Sequence, residues 1–150
     1  MSHTRNRALA FALALAAAGC SGKPAEKPVF KVRGRVTYET KPMAKALVSF
    51  YAADQKDRDT PAHATADEDG RYVLHTYRAD DGAPQGEYLV TIYWPAPRPK
   101  AAPKGEYVDP VDADQLNTID RLKNKYSSVG VTKLRARVEP RDNEIDFNLP

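Results

Sequence analysis

Glu87-Tyr88-Leu89-Val90-Thr91-Ile92-Tyr93-Trp94 is the stretch that decides the fold. Tyr88, Val90, Ile92 and Trp94 fall on one face, and this period of two marks a half-buried strand. The loop before it, Asp80-Asp81-Gly82-Ala83-Pro84-Gln85-Gly86, is turn chemistry. Upstream, Asp67-Glu68-Asp69-Gly70 makes a tight turn between a weak strand over Ala62–Ala66 and a strand over Arg71–Thr76. Tyr72 and Leu74 share the inward face of the latter. Asp-Gly between two such runs predicts a hairpin.

The pattern repeats toward the N-terminus. Phe30, Val32, Val36 and Tyr38 alternate with Lys31, Arg33, Arg35 and Thr37, with Gly34 in the middle. Glu39–Met43 is a turn, because Pro42 cannot donate to a ladder. Ala46, Val48 and Phe50 mark the next strand, and Asp54–Thr60 is charged and irregular. Toward the C-terminus, Pro95–Pro103 reads as an extended, exposed excursion. Asp114 is placed to cap a short helix with Leu116, Ile119 and Leu122 on one side. Two strands close the chain, one facing Leu134, Ala136 and Val138 inward and the other Ile145, Phe147 and Leu149.

About seven short strands without βαβ alternation predict an all-β fold. The economical form is a seven-stranded antiparallel Greek-key sandwich, with a long irregular Pro-rich insertion before the last two strands. Twelve Pro, eight Gly and 41% hydrophobic residues agree with this and argue against a helical bundle. The 150 residues are enough for one domain. With one Cys, no intramolecular disulfide forms, so the domain holds together by packing alone.

The formal charge of +3 is unevenly placed. Residues 1–19 hold Arg5 and Arg7 and no acid, leaving 21 basic and 20 acidic groups in residues 20–150. That balance gives no reason to expect a nucleic-acid partner. The two arginines precede an apolar run, Ala8–Ala18, too short for a bilayer, which needs about 20 residues. A basic start, a short apolar run and small residues after it make a secretory signal. Ala17-Ala18-Gly19-Cys20 resembles the bacterial lipobox, with Ala17 where Leu is usual. The resemblance implies cleavage before Cys20, a diacylglyceryl group on its sulfur and acylation of its new amine. The bland alternative is cleavage after Ala18, leaving Cys20 as a free thiol in an oxidising compartment. Residues 20–28 then form a lipidated, Pro-containing tether and 29–150 the domain. Ser21 is not Asp, which by resemblance to didermic bacteria favours the outer membrane over the inner.

Further residues carry a wider resemblance. Gly34-x-Val36-x-Tyr38 followed by Lys41-Pro42-Met43-x-x-Ala46-x-Val48-x-Phe50 resembles the opening hairpin of carboxypeptidase regulatory-like domains. Asp67-x-Asp69-Gly70-Arg71-Tyr72-x-Leu74 is similar to their next hairpin. Asp81-Gly82-Ala83-Pro84-x-Gly86-Glu87-Tyr88-x-Val90-Thr91-Ile92-x-Trp94 resembles the following loop and strand. Behind a lipobox, the arrangement resembles small lipoproteins of planctomycete-type bacteria. That resemblance implies a transthyretin-like (prealbumin-like) sandwich over Val29–Leu149 and no known activity. The sequence departs from the pattern at Thr40, where Gly is common, and in a long Tyr107–Ile119 stretch.

No chemistry stands out. Phe147-Asn148-Leu149-Pro150 stands where a transthyretin-like hydroxyisourate hydrolase has Tyr-Arg-Gly-Ser. No Gly-x-Ser-x-Gly elbow exists, and Ser127-Ser128 has no His near it in sequence. Asp67-Glu68-Asp69-Gly70 lacks the closing Glu of a calcium loop. His63 and His75, on separate strands, are expected to be solvated imidazoles, so no metal or cofactor is expected. Lys31, Arg33 and Arg35 line the outward side of one strand and Lys133, Arg135 and Arg137 that of another. If both strands lie in one sheet, the six cations form a basic face for an anionic envelope polymer, an envelope protein or lipid headgroups. The plainer account is charge that blocks edge-to-edge aggregation. Tyr77, Tyr93, Tyr107 and Tyr126 are candidates for a glycan-binding surface. The expected function is a non-enzymatic, lipid-anchored structural or interaction module of the cell envelope. The alternative is a lipoprotein binding glycan fragments or a small solute.

Overall fold

The computed structural model describes residues 26–55, 58–97 and 118–150. The strands are β1 (Val29–Phe30), β2 (Val32–Tyr38), β3 (Lys41–Pro42), β4 (Leu47–Ala52), β5 (Ala62–Thr65), β6 (Arg71–Val73) and β7 (Ala83–Pro84). They continue with β8 (Gly86–Tyr93), β9 (Pro95–Pro97), β10 (Thr118–Asp120), β11 (Arg135–Val138), β12 (Asn143–Glu144) and β13 (Phe147–Leu149). The fold is all-β: two main sheets form a sandwich, accompanied by two short two-stranded ribbons, β1–β7 and β9–β10.

The first sheet has the order β11-β8-β4-β5, antiparallel throughout. The alternating segment around Val90 thus occupies a central strand, where Val90 and Ile92 are fully buried. The second sheet is built on β2. Even-numbered residues of β2 bond to one side, where the Val32 carbonyl accepts from Leu74 N and Val36 N donates to the Gly70 carbonyl. Odd-numbered residues bond to the other, where the carbonyls of Lys31 and Arg33 accept from Asn143 N and Ile145 N. β6 and β3 therefore lie on one flank of β2, and β12 and β13 on the other.

β12 and β13 run parallel to β2 at one constant register, Asn143 opposite Val32 and Leu149 opposite Tyr38. They are one strand interrupted at Asp146, whose carboxylate accepts from Arg35 N at 2.7 Å in place of a backbone partner. This parallel pairing departs from the all-antiparallel expectation. The chain leaves β11 in the first sheet and must cross to the second before it can pair, and it arrives in the direction of β2.

The inward residues of both sheets interdigitate. Phe50 from β4 meets Tyr88 at 5.7 Å and Phe147 from β13 edge-on at 6.0 Å between ring centroids. Burying a side chain of this size contributes about 2–3 kcal/mol. At one end Trp94 closes the core. Its indole N–H donates to the Ala44 carbonyl at 3.0 Å, the Tyr38 ring lies tilted against it at 6.0 Å between centroids, and the Arg121 guanidinium sits 4.7 Å above its ring.

The hairpin expected at Asp67–Gly70 is a corner instead. β5 is laddered to β4 and β6 to β2, in different sheets. The two arms remain joined by the His63–His75 bridge and by Asp67 N donating to the Arg71 carbonyl. The turn itself is as expected. The Asp67 carboxylate accepts from the backbone N–H groups of Asp69 and Arg71, and Gly70 adopts φ +75°, a left-handed conformation L side chains resist.

The helix expected from Asp114 is corrected where it can be seen. Thr118–Asp120 form β10, antiparallel to β9, and Ile119 is exposed. Asp120 is the reason. Its buried carboxylate accepts from Trp94 N, Leu122 N and Asn124 N, fixing an extended entry and a tight turn where a helix would need those groups elsewhere. Asp114 and Leu116 lie outside the described residues, as do residues 98–103. The described prolines Pro95 and Pro97 are laddered to β10, so the excursion starts as a paired ribbon. Among the described residues no helix is long and apolar enough to cross a membrane.

Candidate functional site

The outer face of the second sheet carries a cluster of charged side chains. Alternation along β2 puts Val32 and Val36 inward and Arg33 and Arg35 outward. Register then places neighbours beside them: Val73 opposite Arg33 and Arg71 opposite Arg35 on one flank, Glu144 opposite Arg33 on the other. With Asp146, these residues surround a shallow depression of about 390 Å³ over Gly34 and Tyr72.

Two arginines directly opposite each other are destabilising unless offset. Asp69, from the Asp67–Gly70 turn, offsets them. Its carboxylate pairs with Arg71 at 3.0 Å, and its backbone carbonyl accepts from Arg35 Nε at 2.8 Å. Glu144 stands 3.9 Å from Arg33. These pairs are exposed, so each contributes at most about 1 kcal/mol. The face is a mixed-charge, arginine-rich surface. Neither Arg71 nor Asp69 is expected on a basic face from the sequence, where they mark a turn and the strand after it, although the Asp-Gly turn that brings them to Arg35 is legible.

The depression has a rigid floor. Gly34 lies where a Cβ would stand 1.8 Å from the Ile145 carbonyl oxygen, so only Gly allows β2 and the interrupted strand to approach. The Tyr72 hydroxyl passes this point and donates to the same carbonyl at 2.5 Å. Burial pushes the Tyr72 phenol far above its ordinary range, and the Asp146 carboxylate adds to the effect. Tyr72 therefore stays protonated and keeps donating.

The six-cation face is corrected by the topology. Lys31, Arg33 and Arg35 lie along the second sheet, whereas Lys133, Arg135 and Arg137 lie along β11 and its approach in the first. All six are exposed, but the sandwich core separates the two triads. Arg137 pairs with Glu87 across the ladder at 3.3 Å, and Arg135 is drawn to the carbonyls of Thr132 and Leu134. Cys20 lies outside the described residues.

The tyrosines engage separate local partners. Tyr126 is buried in the core. The Tyr93 hydroxyl pairs with Thr118 Oγ1 at 3.0 Å, and the Tyr77 hydroxyl accepts from Lys27 N at 3.2 Å. Tyr107 lies outside the described residues. Ser127 donates to the Asn124 carbonyl within a turn. Among the described residues, no group of three or more His, Cys, Asp or Glu side chains is placed to hold a metal ion. The two histidines are nevertheless in ring contact, with centroids 4.1 Å apart. Solvated, separate imidazoles were expected. The strand register that joins them at the corner could not be read from their spacing.

Comparison with known proteins adds little beyond this. No family model matches the chain. No curated protein matches it either. Among solved structures, a DUF3823 family protein from Parabacteroides merdae is similar at TM-score 0.43 and 17% identity. The match covers 82% of this chain and 46% of that one. A 9R-lipoxygenase from Cyanothece is similar at TM-score 0.40 and 12% identity, over 86% of this chain and 18% of that one. The chain thus spans less than half of each neighbour's length.

Proposed function

We propose that this chain is a lipid-anchored β-sandwich of the cell envelope that acts as an interaction module without catalysing a reaction. The observation that carries the reading is Ala17-Ala18-Gly19-Cys20 after a basic start and an eleven-residue apolar run. A single acyl chain holds a protein to a membrane only marginally, at about 0.8 kcal/mol per buried methylene, so two or three chains on one cysteine make a firm anchor. Residues 20–28 serve as a polar, Pro-containing tether between the anchor and the domain, with Ser21 favouring the outer membrane. The planctomycete-type lipoprotein and carboxypeptidase regulatory-like resemblance supports the same role. So does the mixed-charge outer face, which is shallow and suits a broad partner surface better than an enclosed ligand.

Intact-mass measurement on the native protein from membranes tests the anchor. The expected species begins at Cys20 and carries a diacylglyceryl thioether. Cys20→Ser should move the protein out of the membrane fraction. A native protein with an unmodified Cys20 thiol overturns the proposal.

A further inference from the structure

His63 lies in β5, at the edge of the first sheet, and His75 follows β6, which belongs to the second. Their backbones form a mutual bridge across the corner: His63 N donates to the His75 carbonyl at 2.9 Å, and His75 N to the His63 carbonyl at 3.0 Å. Residues paired this way in an antiparallel ladder project their side chains to the same side. Ala62 and Ala64 are buried, so His63 points outward, and His75 is half-buried beside it. The two rings stand 4.1 Å apart at 60°.

The His63 ring is also oriented. Its Nδ1 lies 3.3 Å from the Pro61 carbonyl oxygen. A carbonyl only accepts, so in the neutral ring this contact favours the tautomer with the proton on Nδ1 and the lone pair on Nε2. A backbone carbonyl that fixes the tautomer in this manner is the usual support for a metal-ligating imidazole. Two neighbouring imidazoles select borderline divalent ions such as Zn²⁺ and Cu²⁺. Hard ions such as Mg²⁺ need oxygen ligands and gain nothing here.

We propose that His63 and His75 form a two-imidazole site for a borderline divalent transition ion. Water completes the shell, because the site faces solvent. With two protein ligands it is an open, exchangeable site, unlike a structural zinc centre closed by four. The ion would staple the first sheet to the second at the corner and stabilise the folded state by mass action.

The test titrates the mature lipid-anchored protein beginning at Cys20, in detergent, with ZnCl₂, CuCl₂ and MgCl₂. Thermal midpoints are read by circular dichroism, and Cu²⁺ coordination by electron paramagnetic resonance. The expected result is a saturable rise in midpoint with Zn²⁺ and Cu²⁺, none with Mg²⁺, and a Cu²⁺ spectrum showing two imidazole nitrogens. Affinity should fall at least tenfold in His63→Gln and in His75→Gln, each compared with its own chelator-treated baseline. The two-nitrogen signature of the unaltered protein stands independently of whether either variant folds. No saturable shift, a spectrum without two imidazoles, or a shift retained in the double variant overturns the site.

Discussion

Gly34 and Tyr72 act as a pair at the seam where the interrupted strand meets β2. The glycine leaves room for close approach, and the tyrosine hydroxyl satisfies the Ile145 carbonyl where the ladder breaks at Asp146. Gly34→Ala must push two strands apart, because the obstacle is backbone and cannot rotate away. The expected cost is about 3 kcal/mol or more. Tyr72→Phe keeps the ring and removes one buried donor, so about 1–2 kcal/mol is expected. Urea titration reads both as a lower midpoint at unchanged slope. Thr40 works in the opposite sense. It sits at φ 67° and Glu39 at φ 46° in the two-residue turn between β2 and β3, a conformation a β-branched residue adopts at a cost. Thr40→Gly should stabilise the fold by about 0.5–1 kcal/mol, measured by the same titration. A lower midpoint for Thr40→Gly would show that the turn is not strained.

Single carboxylates organise the connections between elements. Asp81 gathers the backbone N–H groups of Thr76, Tyr77 and Arg78 at 2.7, 3.0 and 2.8 Å, shaping the loop that leads to β7 and β8. Partial burial pushes its carboxyl up, but the three N–H bonds and the Arg78 charge outweigh this and hold it below the ordinary value. A carboxyl lowered in the folded state contributes stability that is complete above its unfolded pKa and is lost as pH falls through the folded one. Asp81→Asn should therefore cost about 1 kcal/mol at neutral pH, a figure kept small by solvent exposure. The difference from the unaltered protein should shrink as pH drops below the ordinary Asp range, in urea titrations run at stepped pH. A gap that stays constant would remove the electrostatic account. These loops also show what the sequence could carry. Alternation in β2, β4, β8 and β11 was legible because the apolar side chains of each line one face, and period two records that directly. The strand at Thr118–Asp120 was not, because its pairing with Pro95–Pro97 and the bond from Trp94 N to Asp120 are made across the chain. The parallel run of β12 and β13 was likewise hidden, since burial marks a strand's face and leaves its partner open.

Across the whole molecule, the sandwich turns one imagined surface into two. Arg33 and Arg35, joined by Arg71, look out from the second sheet, and Lys133, Arg135 and Arg137 from the first. Their spacing along each strand was readable, but which sheet each strand entered depended on the crossover after β11. If an anionic envelope polymer is the partner, geometry allows it to engage one face at a time on a single copy. The faces differ in kind. On the second sheet, Arg33 is matched to Glu144 by register but Arg35 and Arg71 stand directly opposite each other beside a depression, whereas on the first Arg137 is matched to Glu87. Exposed pairs of this sort are screened by salt, so a partner's anion can replace them at small cost. Arg33→Gln, Arg35→Gln and Arg71→Gln together should therefore weaken retention on an anionic cell-wall polymer several-fold at low salt. Lys133→Gln, Arg135→Gln and Arg137→Gln should change it less. Cosedimentation at stepped ionic strength measures both triads side by side. Equal retention by all three proteins would mean that these cations serve solubility and bind no such polymer.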